Sequence, residues 1–454
     1  MNLLKQRVLV VGIGNTGTSV ARFCKSQGAF VVATDAGYDK NLEKKARQLH
    51  KMGIETELGQ HKRSTFENVD LIIISPGVPH TIAPIQRAKD NGIPVLSEIE
   101  LAASLIKEPI AAVTGTNGKT TCVTLLGKML KSSGMKTFVG GNIGKPLIDY
   151  IESEEKDDIV VVELSSFQLD TTQTLRPKVG VLLNISEDHM DRYPDFHAYA
   201  KSKKRIFKNQ QKSDVAIFNG SDPLVCSMVQ EIEGVKLPFK DRGSDFNQSS
   251  LGAKIYDDHL MIRMPGKEEE VQDLSGAKLT GQHNRENIAA AYLAARTLGG
   301  KKDKISEAIN NFKGLSHRIE YVKTIKDTMY YNDSKATNVN AVERALESFK
   351  QPVILLMGGQ DKGSDFGVLE HEIKKRVKTL IVFGQDRKRI SLALESFVTV
   401  NSADTLEEAI NRAYFLALPD DVVLLSPGCA SFDRYKDYTH RGKDFVNIVR
   451  SLRQ

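Results

Sequence analysis

Short apolar runs recur along the chain, each ending in glycine, proline, serine or an acid, with longer mixed polar stretches between them. Runs of that length bounded by turn residues read as buried strands, and the intervening stretches as helices. Strands are expected at residues 8–11, 30–35, 70–75 and 94–97, then at 110–113, 158–163, 179–184 and 215–219. The last third repeats the pattern at 352–358, 379–384 and 421–426. Residues 240–275 are polar and contain glycine, which predicts a loop or a small β-hairpin. Breaks near 97 and near 312–318 divide the chain into domains at 1–97, 98–314 and 315–454. The expected fold is α/β with three domains: a Rossmann-like half, a central P-loop domain and a C-terminal Rossmann-like α/β domain.

The run at 110–113 leads into Thr114-Gly115-Thr116-Asn117-Gly118-Lys119-Thr120-Thr121, and Cys122 to Leu130 then reads as a helix. Strand, glycine turn and helix in that order aim backbone N–H groups and a helix N-terminus at one point, a site for phosphate. Lys119 is placed to reach the outer phosphates and the Thr120 hydroxyl to meet a magnesium ion. Val113 stands where the common P-loop has its first glycine, so the loop is a shortened variant. These residues predict a nucleoside triphosphate site.

Residues 8–17 contain a strand, then Gly12-Ile13-Gly14-Asn15-Thr16-Gly17, and the strand at 30–35 ends in Asp35. This is a dinucleotide-binding fingerprint. The segment has room for about one mononucleotide-binding half, which favours a single nucleotide diphosphate over a dinucleotide. Further along, Gly140-Gly141-Asn142-Ile143-Gly144 reads as a loop, and the strand at 158–163 ends in Glu163, where a second magnesium ligand belongs. The strand at 179–184 runs into Ser186-Glu187-Asp188-His189-Met190-Asp191, a polar cluster of the kind that gathers ligands at strand ends. Lys201 to Lys208 would on composition alone be a solvated helix face. Gly281-Gln282-His283-Asn284-Arg285-Glu286-Asn287 opens an alanine-rich helix with amide side chains suited to a nucleotide base.

Composition narrows the partners. The 454 residues are 40% hydrophobic and 26% charged, with a net charge of +6, as expected of an ordinary globular protein with no demand for nucleic acid. Four cysteines without CxxC spacing argue for a reducing compartment and against disulfides or zinc. No apolar run approaches the ~18 residues of a membrane span, and the apolar N-terminal run lacks a small-residue cleavage site. A cytoplasmic monomer, not bound to a membrane, is expected.

Taken in order, Thr114 to Thr120, Glu163-Leu-Ser-Ser, Asn184 through His189-Met-Asp-Arg-Tyr193, His317-Arg318, Asp333-Ser-Lys-Ala-Thr337-Asn and Ser426-Pro through Ser431 resemble the Mur ligases. These are the ATP-dependent amide-forming enzymes of peptidoglycan synthesis, and the resemblance spans essentially the whole chain. Gly141-Asn-Ile-Gly, Glu163-Leu-Ser-Ser-Phe-Gln-Leu and Glu187-Asp-His-Met-Asp-Arg-Tyr-Pro194 are most like the branch of the family that adds D-glutamate.

The resemblance implies ATP, two Mg2+ ions, and the small-molecule substrates UDP-N-acetylmuramoyl-L-alanine and D-glutamate. For ATP it implies Gly115, Thr116, Asn117, Gly118, Lys119, Thr120, Thr121, Asn287, Arg318 and Asp333, with His317 and Lys335 in the cleft lining. The UDP-substrate would be held by Gly14, Asn15, Thr16, Gly17, Asp35, Ser75, Asn142 and Gln168. It implies Thr337, Lys362, Ser431 and Tyr438 for D-glutamate, the last commonly Phe in relatives. Thr120, Glu163, His189 and a lysine carbamylated by carbon dioxide would hold the metals. Alignment points to Lys203 for that lysine, with Lys201 and Lys204 as neighbours in the register. Lys119, His189 and Lys203 are the implied catalytic groups. Other Mur ligases, folylpolyglutamate synthases and an NAD-dependent enzyme are the rivals.

Overall fold

The computed structural model describes every residue except Met1, Glu154, His189, Asp191, 242–249, Thr280, Lys362 and Gln454. By packing, the chain forms two compact units. Unit 1 comprises Met1–Ile185, Asp195–Ser275 and Glu286–Ile309, and unit 2 comprises Ser186–Pro194, Gly276–Arg285 and Asn310–Gln454.

Unit 1 contains two sheets. The first is fully parallel, in the order Glu55–Leu58, Phe30–Asp35, Arg7–Val11, Leu71–Ile74, Val95–Ser97. Its order reverses between Arg7–Val11 and Leu71–Ile74, which opens a crevice at the carboxyl ends of those strands. Both are apolar and almost wholly buried, as central parallel strands covered on two faces must be. The strand Glu55–Leu58 escapes sequence reading because it is an edge, and its charged residues replace the apolar run.

The second sheet has nine strands. Its parallel part runs Gly252–Ile255, Val235–Lys240, Val215–Asn219, Val179–Leu182, Ile110–Thr114, Ile159–Glu163, Thr137–Gly141. The strand Ile110–Thr114 lies between Val179–Leu182 and Ile159–Glu163, so the segments leaving all three converge at one carboxyl edge. Two expectations need correction. Gly140 and Gly141 end a strand rather than lie in a loop, and Asn142 begins the loop. The stretch at 240–275 is larger than a hairpin: Gly252–Ile255, His259–Arg263 and Glu270–Asp273 extend the sheet. Glu270–Asp273 buries Glu270 and Gln272 and exposes Val271, so its sequence does not show an apolar inner face.

The helix Glu98–Ala103 follows the last strand of the first sheet and is capped by Ser97. It buries two carboxylates. Glu98 Oε1 accepts from the Ile148 N–H at 2.7 Å, at the start of the helix Leu147–Glu152. Glu100 accepts from the N–H groups of Gln173, Thr174 and Leu175. Burial pushes Glu98 up to about 7.

Unit 2 is built on one sheet in the order Glu320–Ile325, Thr328–Asn332, Val422–Leu425, Val353–Gly358, Val377–Phe383, Val400–Ser402. The first pair is an antiparallel hairpin and the remaining pairs are parallel. Alternate residues face opposite layers: Leu355, Val382 and Leu424 pack on one side, and Ile354, Ile381 and Val423 on the other. Three loops therefore leave the same carboxyl edge, after Asn332, Gly358 and Leu425.

Candidate active site

Gly118 starts the helix Lys119–Ser132 with φ +87°, a conformation that glycine alone adopts cheaply. A Cβ there would lie 2.3 Å from Asn287 Oδ1, so this loop and the buried Asn287 require one another's shape. Lys119 Nζ donates to the carbonyls of Gly115 at 2.8 Å and Thr116 at 2.7 Å. Asn184, at the end of the neighbouring strand, accepts from Asn117 N–H at 2.9 Å and donates back to the Asn117 carbonyl at 3.1 Å. Its own carbonyl accepts from Thr116 N–H. The Thr116 hydroxyl meets Tyr199 OH at 3.1 Å.

Lys203 is 2% exposed, its Nζ donating to the Gly115 carbonyl at 2.9 Å and lying 4.6 Å from the Tyr199 ring centre. Lys201 is exposed and Lys204 pairs with Glu231 at 3.4 Å. The basic helix is thus no uniform solvated face. One of its lysines is turned into the protein, onto the phosphate loop.

Glu163 is 2% exposed. Its Oε1 accepts from Asn142 Nδ2 at 3.0 Å, while Oε2 is buried without a hydrogen-bond partner. A buried carboxylate oxygen without a donor is costly and fits a cation. Gln168 uses its Oε1 in a capping box with Ser165, and its buried Nε2 has no partner. The buried Thr121 Oγ1 is likewise without one. Among the described residues no three His, Cys, Asp or Glu side chains gather as a metal cluster. A magnesium here would draw on Glu163, the Thr120 hydroxyl, phosphate oxygens and water, the hard oxygen set that ion prefers.

At the crevice of the first sheet, Gly14 has open space around it, whereas a Cβ on Gly17 would sit 1.8 Å from the Gly12 carbonyl. Ser75 Oγ donates to that same carbonyl at 2.8 Å. Asp35 accepts from Ile13 N–H at 2.7 Å through Oδ2 and from Gly37 N–H at 2.9 Å through Oδ1, so one oxygen holds the glycine loop and the other its own turn. Asn15 accepts from Lys45, and Thr16 is half-buried beside it.

Unit 2 places the remaining residues. His317, with φ +64°, accepts at Nδ1 from Asn332 Nδ2 at 2.9 Å, and burial holds its pKa below the ordinary value. Arg318 keeps a buried Nε without a partner, while Lys335 lies 5.5 Å from the Tyr438 ring centre. Asp333 is 4% exposed and accepts from Ser426 Oγ at 2.9 Å and Ile319 N–H at 3.2 Å, with burial pushing it up to about 7. Its oxygens are engaged inside the unit, tying two loops. Thr337 is half-buried and lines a cavity of about 360 Å³ with Glu187, Asp188, Asn340, Glu343 and Asp365. Asn338 Nδ2 donates to Asp188 Oδ2 at 3.3 Å. Ser431 is buried. His189 and Lys362 lie outside the described residues.

Sequence reasoning missed Tyr199 and Asn184 as supports of the phosphate loop, and Arg441 in unit 2. Asn184 was signalled by its place at the end of an apolar strand. Arg441 gave no signal, since a basic residue on a helix reads as solvated.

Three family models match in chain order: the Mur ligase MurD-like N-terminal domain over residues 6–97, the Mur ligase middle domain over 113–295, and the Mur ligase glutamate ligase domain over 317–429. A curated relative from Desulfosudis oleivorans, UDP-N-acetylmuramoylalanine–D-glutamate ligase, is 48% identical, covering 99% of this chain and 97% of its own. A relative of the same name from Desulfatibacillum aliphaticivorans is 45% identical over the whole of both chains. Among solved structures, a pseudomurein peptide ligase type C from Methanothermus fervidus matches with a TM-score of 0.64, covering 99% of this chain and 100% of that one. At 21% identity, that likeness concerns the fold. With three models in succession and full-length kin at nearly half identity, the chain belongs to the Mur ligase family.

Proposed function

We propose that the chain joins D-glutamate to UDP-N-acetylmuramoyl-L-alanine, cleaving ATP to ADP and phosphate. The observation that carries the choice of substrates is the full-length kinship to ligases of that name. The chain's own geometry supports the chemistry. A carboxylate is a poor electrophile, so the L-alanyl carboxylate oxygen first attacks the γ-phosphorus of ATP, and ADP leaves. The D-glutamate amine then attacks the acyl carbonyl, the tetrahedral intermediate expels phosphate, and the amine proton is lost.

Attack of one anion on another needs concentrated positive charge. Lys119 supplies it, exchanging the carbonyls of Gly115 and Thr116 for phosphoryl oxygens. The N–H groups of 115–120 and the helix N-terminus cradle the phosphates. Thr120 and Glu163 would hold one magnesium, with His189 and carbamylated Lys203 holding a second; bound there, the ions would neutralise phosphate charge. A carbamate on Lys203 retains an N–H for the Gly115 carbonyl and adds two oxygens that share one negative charge, which suits a metal ligand beside the loop.

The glycine loop at 14–17, Ser75, Asn142 and Gln168 take the UDP-substrate. Asp35 serves by holding that loop at Ile13 N–H. Asn287 and Arg318 take the nucleotide, and Asp333 holds the segments bearing Arg318 and Ser426. Thr337, Lys362, Ser431 and Tyr438 take D-glutamate. The boundaries at 97/98 and 314/315 separate the regions doing these tasks, and a monomer in the cytoplasm, where ATP and nucleotide sugars are found, is the working form. Among the described residues no helix is long and apolar enough to cross a membrane. The test is phosphate release with UDP-N-acetylmuramoyl-L-alanine across a panel of amino acids. D-Glutamate should stand alone in stimulating it; stimulation by L-alanine or a diamino acid instead would refute the assignment.

A further inference from the structure

The helix Tyr438–Ser451 turns Phe445 and Val449 into the core of unit 2, and Arg441, one turn before Phe445, lies on the same buried stripe. Its side chain is 0% exposed. Taking a guanidinium out of water is expensive unless its donors are met. Here they are met by dipoles: among the described residues none of its hydrogen-bond partners is a carboxylate. Nε donates to Ser334 Oγ at 3.0 Å. Nη1 donates to the carbonyls of Gly358 at 3.2 Å and Ala430 at 3.4 Å. Nη2 donates to the carbonyls of Ser334 at 2.9 Å and Cys429 at 3.1 Å.

These acceptors belong to three separate loops at one carboxyl edge of the sheet. Ser334 follows Thr328–Asn332, Gly358 closes Val353–Gly358, and Cys429 and Ala430 follow Val422–Leu425. The same loops carry Thr337, Lys362 and Ser431. Ser334 Oγ also donates to the Tyr438 carbonyl at 2.9 Å, which brings in the fourth residue assigned to D-glutamate. Backbone pairing between Gln360 and Ala430 joins two of the loops directly. The guanidinium joins all three.

We infer that Arg441 is the positioning residue of the D-glutamate pocket, setting the spacing of the loops that bear Thr337, Lys362 and Ser431. This rests on the ligase reading above. A planar fork with five donors can hold three loops at fixed angles; a lysine ammonium, a point charge with three donors, cannot. A buried charge with no ion-pair partner among the described residues is then understandable, because it meets carbonyls that an apolar side chain would leave bare.

The test is Arg441→Lys in the full chain, which keeps the charge and removes the fork. Three quantities are read: KM and kcat for D-glutamate, the affinity for ADP, and acyl phosphate formed without D-glutamate and trapped by borohydride reduction. The expected result is a KM for D-glutamate raised roughly ten- to a hundredfold, the scale that small misplacements of binding groups produce. ADP affinity and acyl phosphate trapping stay at the unsubstituted level. An unchanged KM, or a loss shared equally by acyl phosphate formation, overturns the inference. If the unsubstituted protein itself forms no acyl phosphate, the ligase reading falls, and the inference with it, before any variant is compared. Should the lysine variant not fold, Ser334→Ala removes only the Nε acceptor and the link to Tyr438. It should raise the same KM several-fold with trapping intact, and an unaltered KM there overturns the inference equally.

Discussion

In unit 1 the phosphate loop is a single continuous segment. Its carbonyls are gripped by Lys119 and Lys203, and two of its N–H groups by Asn184, just beyond the adjacent strand. In unit 2 the loops proposed to bind D-glutamate follow three strands far apart in sequence and are gripped at their carbonyls by Arg441. Unit 1 also braces its two sheets with buried carboxylates, Glu98 and Glu100, which accept from backbone N–H groups. The difference suits the ligands proposed for each. A phosphate needs donors converging on one point, which a strand–turn–helix provides by itself. A dicarboxylate amino acid needs groups spaced several ångströms apart, which separate loops can provide once they are tied.

The comparison breaks most severely if the phosphate loop is dispensable. Lys119→Ala should lower phosphate release by ~1,000-fold or more, since a lost phosphate-bound charge costs several kcal/mol of transition-state stabilisation. Near-normal release in that variant would remove the loop from the chemistry. Lys203→Ala should lose about a hundredfold and recover in part with a small carboxylate such as acetate, which would stand in for the carbamate. No loss would transfer the role to the exposed Lys201 or to Lys204.

On the unit 2 side, Ser431→Ala should raise the KM for D-glutamate by about tenfold, the cost of one hydrogen bond to a charged group, with ADP affinity unaltered. Parallel weakening of ADP would mean that the two regions do not divide the work as described. The smallest effect concerns the brace. Glu98 is raised from 4.5 to about 7 by burial, so the folded chain keeps its proton where the unfolded chain has lost it. Stability therefore falls as pH rises through that window, by on the order of 3 kcal/mol from this group. Glu98→Gln should flatten that part of the pH dependence of urea unfolding between pH 5 and 8, leaving turnover unaltered. An identical slope in both proteins would remove the assignment.

The contrast between the units also explains what could be read before any coordinates. The phosphate loop is contiguous, so its spelling from Thr114 to Thr121 declares it, and buried parallel strands such as Leu71–Ile74 declare themselves by composition. Edge strands do not: Glu55–Leu58 carries charged residues in place of an apolar run, and Glu270–Asp273 buries Glu270 and Gln272 while exposing Val271, the reverse of an apolar-inward pattern. The solvated-face reading of Lys201 to Lys208 failed at Lys203, because composition cannot say which lysine of a basic helix turns inward. Asp35 and Asp333 were legible as acids at strand ends, but not as acids whose oxygens hold their own loops. Arg441 was illegible altogether, since its partners are carbonyls brought together only by the fold.

In the proposed reaction a carboxyl group receives the terminal phosphoryl of ATP before D-glutamate's amine displaces it. The decisive experiment follows phosphate release and amide formation together, with UDP-N-acetylmuramoyl-L-alanine, ATP and D-glutamate. One phosphate per amide bond, with no amide formed when ATP is withheld, is the predicted result. Amide formation without ATP cleavage would contradict it.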